Sequence, residues 1–397
     1  MSPPASAIGA LAEGTAVPRA LRLPFDPLLA LGTLGLAVCS LVVLRGVTAT
    51  DVPGKPLYYF DRQALYFAIG AAVMVALARM DYSRLRELRW GVYALLCISI
   101  LLVFAVGSVA QGARREISLP LFSFQASEVG KILLTIFLAA VAVEDRRRRS
   151  ARELTARVML FALVPAVFVI AQPDLGSGMV YLVIALAVLF IAGTSGRHFA
   201  ALLALGAVAA TFVLVVAPAV GVTVLKPYQV DRLTAFLHPS DNPGKQGYQQ
   251  LQSKIAIGSG GKTGRGSQAT QTKLNFLPEH QTDFIFAVIG ERYGFVGAAF
   301  VLSLYALMMW RALRILAMAK NLFGALIAAG VVAMLSFQVF INVGMTVGIT
   351  PITGVTLPLM SYGGSSVLTT FMALGLLQSI HVHARTTAAL EDRVLTF

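Results

Sequence analysis

Apolar residues in this chain gather in long blocks separated by polar breaks. Matched against the roughly 20 residues that carry a helix across a bilayer, the blocks predict about ten transmembrane helices. They fall near residues 27–45, 63–79, 90–107, 128–143, 157–171, 178–194, 198–222, 283–309, 322–346 and 366–384. The fifth and sixth are parted only by QPDLGSG, residues 172–178, and a re-entrant kink there would change the count. One polar interruption is far longer than the rest. It spans 226–282 and closes on a carboxylate, Asp283, where polar sequence gives way to hydrophobic helix. The expected fold is an all-α polytopic membrane protein with a large loop between helices seven and eight. A membrane domain over 27–384 is then flanked by tails at 1–26 and 385–397.

Composition narrows the class. Of 397 residues, 57% are hydrophobic and 13% charged, which excludes an ordinary soluble domain when the apolar residues come in blocks of this length. A net charge of +13 raises nucleic acid as a partner. The basic residues sit in short loops rather than along one amphipathic face, so no nucleic acid is expected. Arg84, Arg86 and Arg89 follow the second span; Arg146 to Arg149, with Arg152 and Arg157, follow the fourth. Arg197 follows the sixth, and Arg311, Arg314 and Lys320 the eighth. With ten spans these share one side with both termini, and the positive-inside bias makes that side cytoplasmic. The 226–282 loop is then extracytoplasmic. The EDRRRR run at 144–149 reads as a topology anchor near anionic headgroups. Cys39 and Cys97 lie within spans, so no disulfide framework is expected. The first apolar run is long, lacks a small-residue cleavage site, and is expected to remain as the first span.

Ionisable groups in or beside spans are costly and need a partner or a task. Glu128 and Lys131, three apart at the start of span four, share a helix face. They are either a self-neutralising pair or a functional one. Asp174 follows a helix break and can cap span six or do chemistry. Asp283 can cap span eight, or act as a general base at a lipid headgroup from the outer end of an interior helix. That helix carries Gly290, Gly294 and Gly297, read as a small-residue packing stripe, with Glu291 and Arg292 beside them. Within the loop, AIGSGGKT at 256–263 is one residue from a Walker A pattern, with Ala256 in place of the first glycine. The segment before it reads as helix and the one after does not, and an extracytoplasmic site lacks ATP, so no nucleotide is expected. What survives is a glycine-rich turn with Lys254, Lys262 and Arg265, which is either an anion cradle for a pyrophosphate or a solvated turn. Residues 342–366, rich in Gly, Pro and hydroxyls, form an irregular segment that must line a cavity or face protein.

Taken together, QPDLGSG, KPYQVDRL, GYQQLQSKIAIGSGG, FLPEHQTDFIFAVIGE, NVGM, PITGVTLP and SYGGSS resemble the signature segments of the SEDS family of bacterial cell-wall proteins, in the family's order from about residue 110 to 385. NVGM and ITPITG resemble the elongation branch, RodA, more than the division branch, FtsW. The resemblance implies ten transmembrane helices and polymerisation of lipid II into glycan strands. It implies as partners a class B penicillin-binding protein, which cross-links the strands, and other membrane proteins of the elongation complex. It makes Asp283 the catalytic aspartate. It also assigns Gln125, Ser127, Glu128 and Lys131 to one functional segment, and Asp174 and Ser365 to others. Three positions depart from the family pattern: Glu116 stands where a tryptophan is expected after GARR, Arg292 replaces an acidic residue, and Ala269 replaces a loop glycine.

The implied chemistry is a single inverting displacement. Asp283 takes the proton of the acceptor 4-hydroxyl and undecaprenyl pyrophosphate leaves. Lys131, Arg232, and Lys254 or Arg265 are candidates to meet the developing charge, with a divalent cation, magnesium or manganese, as a possible addition. The rival expectations are a transporter that moves lipid II across the membrane and a non-catalytic activator of the penicillin-binding protein.

Overall fold

A computed structural model describes residues 25–48, 51–110, 113–118, 122–221, 229–230, 232, 236, 245–274 and 276–394. Most of the expected tail at 1–26, the glycine of GARR and most of the loop from 226 to 244 lie outside the described residues. Nine described helices are long and apolar enough to cross a membrane. They are α1 (Pro27–Val47), α2 (Tyr58–Arg79), α3 (Arg89–Val106), α4 (Ala126–Arg148), α5 (Ala151–Ala171), α7 (Gly196–Ala219), α10 (Ile285–Met318), α11 (Leu322–Val347) and α12 (Gly364–Val394). A further apolar helix, α6 (Leu175–Ile191), is shorter at 17 residues. The fifth and sixth spans are thus separate helices, and the ten expected apolar segments are all helical. The loop before α10 contributes α8 (Lys245–Gly260) and the single turn α9 (Thr270–Lys273).

Local chemistry sets several helix ends. Asp26 accepts the Leu29 N–H at 2.9 Å ahead of Pro27, a residue suited to the first helical turn. Ser150 and Glu153 form the sequence of a capping box, with the Glu153 N–H donating to Ser150 Oγ at 3.3 Å. Asn321 accepts from Gly324 at 2.7 Å at the head of α11, and Gly348, at φ +84°, ends that helix in the left-handed region. The most enclosed element is α4, packed among α3, α5, α6, α11 and α12. At the other extreme, α7 buries almost none of its surface, and α3 turns Leu95, Ile98 and Leu102 outward, as lipid-facing helices do.

Two features depart from the sequence expectation. Strands β1 (Ser108–Ala110), β2 (Ala113–Ser118) and β3 (Ser123–Phe124) form a small antiparallel sheet in the order β1-β2-β3 between α3 and α4. The sequence ARREIS has no alternation of apolar residues to announce it. The second is α10, which runs on to Met318 and is broken at Gly294, where φ is +64° and ψ −161°. Gly294 is a kink, not part of a packing stripe. Before it every residue from Ile285 to Glu291 is buried; beyond it only a stripe at Val301, Tyr305, Met308, Ala312 and Ile315 is. The glycine-rich turn of the loop docks into the break. The carbonyls of Gly261 and Lys262 accept the N–H groups of Phe295 and Val296 at 3.0 and 3.1 Å, and the Arg265 N–H donates to the Glu291 carbonyl at 2.8 Å. Donors released by the kink are satisfied by the loop.

Candidate active site

Asp283 lies just ahead of α10, whose N-cap is Phe284 and has no side-chain capping bond. The segment bearing it is fastened to the irregular stretch after α11. Asn342 donates from Nδ2 to the Asp283 carbonyl at 2.9 Å and to the Val355 carbonyl at 2.8 Å. Ser361 Oγ donates to the Thr282 carbonyl at 2.6 Å, and the Tyr362 N–H to the Gln281 carbonyl at 2.9 Å. Glu279 and Leu359 hold φ of +57° and +63°, strained for residues with side chains and sustained here by that cross-bracing. Gly354, at φ +74°, leaves its backbone bare: a Cβ there would lie 3.5 Å from Asp283 Oδ2 and 4.0 Å from Arg232 Nη2. Arg232 also donates from Nη1 to the Thr353 carbonyl at 3.2 Å.

Asp283 and Gly354 border a cavity of about 360 Å³ at the end of the bundle where α4, α6 and α12 begin. Glu279, Thr282 and Asp283 form one wall, Arg62 and Tyr66 of α2 another. Glu116 of β2 and Gln125 border it from the sheet side, and Tyr362 to Ser366 complete it. Burial pushes the Tyr362 phenol well above its usual value, so it stays protonated, hydrogen-bonded with Arg62.

Behind the Gln125 wall lies a buried polar cluster. Ser365 Oγ accepts the Gln125 N–H at 2.9 Å and donates to the Ser123 carbonyl at 2.7 Å. Asp174 accepts Gln125 Nε2 at 3.1 Å and Ser127 Oγ at 2.7 Å on one oxygen, and the Ser177 N–H at 3.0 Å on the other. It therefore caps α6 and binds α4 at once. Lys131 donates to Glu128 at 2.5 Å, and its side chain is 1% exposed. Tyr181 donates to the Ser127 carbonyl at 3.2 Å, and its hydroxyl occupies the space a Cβ at Gly130 would need.

A family model described as FTSW_RODA_SPOVE, cell cycle protein, matches residues 22–386. The chain belongs to this family, the SEDS proteins. It is 40% identical over 374 residues to the probable peptidoglycan glycosyltransferase FtsW of Thioalkalivibrio sulfidiphilus, covering 91% of this chain and 88% of that one. It is 36% identical over 367 residues to the peptidoglycan glycosyltransferase MrdB of Escherichia coli K12, covering 92% and 95%. The crystal structure of the rod shape determining protein RodA of Thermus thermophilus superposes with a TM-score of 0.66 at 28% identity, over 91% of this chain and 97% of that one. A chain from a structure described as structural coordination of polymerization and crosslinking by a peptidoglycan synthase complex gives a TM-score of 0.77 at 30% identity, over 91% and 98%.

In this SEDS chain, Asp283 and Ser365 border the cavity and Arg232 reaches the same glycine as Asp283. Glu128, Lys131 and Asp174 form the adjoining cluster. Lys254 and Arg265 are not brought to the cavity. Lys254 lies over Gly348 at the end of α11, and Arg265 donates to Thr270 Oγ1 at 3.2 Å on the exposed side of the loop. The glycine-rich turn, open in the sequence between an anion cradle and a solvated turn, docks on α10, with the Gly264 N–H given to Gly260 and that of Arg265 to Glu291. Sequence reasoning missed Arg62, Tyr66, Glu279 and Tyr362. For Arg62 the signal existed: α2 begins at Tyr58, so Arg62 is a charge inside a spanning helix, where charge is costly. Among the described residues no group of three or more His, Cys, Asp or Glu could hold a metal ion by itself.

Proposed function

We propose that this protein is a peptidoglycan glycosyltransferase that polymerises lipid II at the outer face of the bacterial cytoplasmic membrane, in the elongation branch of its family. The observation that carries this reading is the approach of Asp283 and Arg232 to one bare glycine, Gly354, beside the cavity. A carboxylate and a guanidinium across one small opening suit a displacement with an anionic leaving group. The acceptor 4-hydroxyl gives its proton to Asp283 as its oxygen attacks the anomeric carbon of the donor sugar. The bond to the diphosphate breaks, its electron pair leaves with undecaprenyl pyrophosphate, and one inversion converts an α donor into a β glycan. Arg232 and Arg62 meet the charge on the departing diphosphate. Gln125, oriented by Asp174 and Ser365, forms the facing wall, while the Glu128–Lys131 pair supports it from within α4. A magnesium or manganese ion held by Glu116 and Glu279 with diphosphate oxygens would add positive charge at the leaving group.

The elongation assignment is supported by the NVGM and ITPITG segments and by the likeness to a rod shape determining protein. The protein works beside a class B penicillin-binding protein and other membrane proteins of the elongation complex, a reading supported by the likeness to a chain of a peptidoglycan synthase complex. The test is incubation of the purified protein with labelled lipid II, with and without a transpeptidase partner whose own active site is blocked. Glycan ladders that vanish with Asp283→Asn are expected. Normal ladders from that variant would remove Asp283 as the base. Movement of lipid II across vesicles with no ladder under any partner or metal condition would replace the polymerase with a transporter.

A further inference from the structure

A cavity larger than the one at Asp283 lies at the other end of the bundle. Gln125, the N-cap of α4, and Arg146, in its last turn, mark the two ends, roughly 30 Å apart at 1.5 Å per residue. This second cavity, of about 740 Å³, opens where α3, α4 and α11 meet, at the face the positive-inside bias assigns to the cytoplasm. Arg86, Arg89, Arg146 and Arg147 line it, against one carboxylate, Glu87. Its floor is apolar, made by Val143, Leu322 and Phe323. The last two belong to the first turn of α11, whose dipole adds positive potential.

A neighbouring cavity of about 330 Å³ supplies the contrast. There the arginines are answered by the protein's own acids: Arg89 to Glu144 at 2.6 Å, Arg149 to Asp145 at 3.1 Å, Arg157 to Asp145 at 3.2 Å. In the larger cavity, among the described residues, Arg86, Arg146 and Arg147 have no carboxylate within 4.0 Å. Arginines serving only as topology anchors need no concave setting and no apolar floor. A cationic rim above an apolar floor, at the level where helices leave the membrane, fits a group that is anionic at one end and greasy at the other.

We infer that this cavity is a binding site for an anionic glycerophospholipid of the inner leaflet, its phosphate held between Arg86, Arg146 and Arg147 and its glycerol end resting on Leu322 and Phe323. Guanidinium groups bind phosphate oxygens in pairs, and the inner leaflet supplies anionic headgroups at high local concentration.

The test uses the full chain, extracted from phosphatidylcholine vesicles containing a minor fraction of phosphatidylglycerol, with retained lipid read by native mass spectrometry. Retention of phosphatidylglycerol over phosphatidylcholine is expected. Arg86→Ala with Arg147→Ala should cut that retention about tenfold or more, from the loss of charge-assisted hydrogen bonds. Arg84→Ala with Arg152→Ala, which removes the same charge from exposed positions outside the cavity, should leave it unchanged. Glu87→Gln, at an exposed position, should raise retention and reads the site without removing a binding group. Equal loss in both double variants, or no preference for phosphatidylglycerol, would overturn the site. Displacement of the lipid by millimolar inorganic phosphate would make the ligand a soluble anion and overturn the lipid assignment.

Discussion

The side-chain amide of Asn342 donates to the main-chain carbonyls of Asp283 and Val355 at 2.9 and 2.8 Å. One buried residue of α11 thus sets the distance between the strand of chain that carries the candidate base and the stretch that carries Gly354, the glycine facing it. Asp283 owes its position to this clamp as much as to the helix it precedes, since that helix makes no side-chain cap.

Asn342→Leu keeps the volume and deletes both donors. The buried Val355 carbonyl then loses its partner at about 1–3 kcal/mol, and the half-buried Asp283 carbonyl loses its own at less. The expected result is a lower melting temperature together with a loss of glycan polymerisation of at least about tenfold. Asp283→Asn, by contrast, should abolish polymerisation with little change in melting temperature. Unaltered activity and melting temperature in Asn342→Leu would mean that the clamp positions nothing.

Two glycines of the loop, one in α8 and one in the turn after it, respond differently to the same substitution. Gly258, in α8, has nothing within 4 Å of where a Cβ would stand, so Gly258→Ala should be neutral or stabilising by up to about 1 kcal/mol. Gly264 sits at φ +84° with the Arg292 carbonyl in the Cβ position, so Gly264→Ala should cost about 2–4 kcal/mol locally and pull the turn out of the α10 kink. Hydrogen exchange of the amides from 260 to 274 reads this directly: faster in Gly264→Ala, unchanged in Gly258→Ala.

Glu291 is wholly buried and accepts three hydrogen bonds from the loop: the Gln271 N–H at 2.8 Å, the Thr272 N–H at 3.2 Å and Thr272 Oγ1 at 2.5 Å. Glu291→Ala removes the acceptor of these three bonds at the head of α9 and should destabilise the docked loop by about 2–4 kcal/mol. The exchange of the Gln271 and Thr272 amides should accelerate well before the spanning helices respond. If protection of those amides survived, Glu291 would not be what holds the loop.

Much of this architecture could be read from block length alone, because a bilayer fixes how long an apolar helix must be. The blocks located α1 to α7 and α10 to α12, but not where charged residues continue a helix. Arg311 and Arg314 end the hydrophobic count of α10 without ending the helix, since arginine is a good helix former. The same blindness placed Arg62 outside α2. Asp283, Ser365 and the Gln125–Asp174 segment were legible through their motifs. Lys254 and Arg265 lie away from the Asp283 cavity, and charge and spacing do not say which face of a loop turns toward it. Gly294 looked like its neighbours Gly290 and Gly297: a glycine needed for a positive φ and one needed for close packing are the same letter.

The Glu128–Lys131 pair separates structure from function most cleanly. The two groups share one buried contact at 2.5 Å near the start of α4, so removing one strands the other. Lys131→Met alone should cost about 3–5 kcal/mol, because Glu128 is left without its partner in a low-dielectric setting. Glu128→Gln with Lys131→Met removes both charges and should recover most of that loss, since a buried ion pair adds little over well-packed neutral groups. Melting temperatures of the single and double variants check the energetics, and the ladder assay on the rescued double variant checks the role. A stable double variant that polymerises lipid II normally would make the pair a self-neutralising device of the helix. A stable double variant with no ladder would place the charge of Lys131 in the reaction.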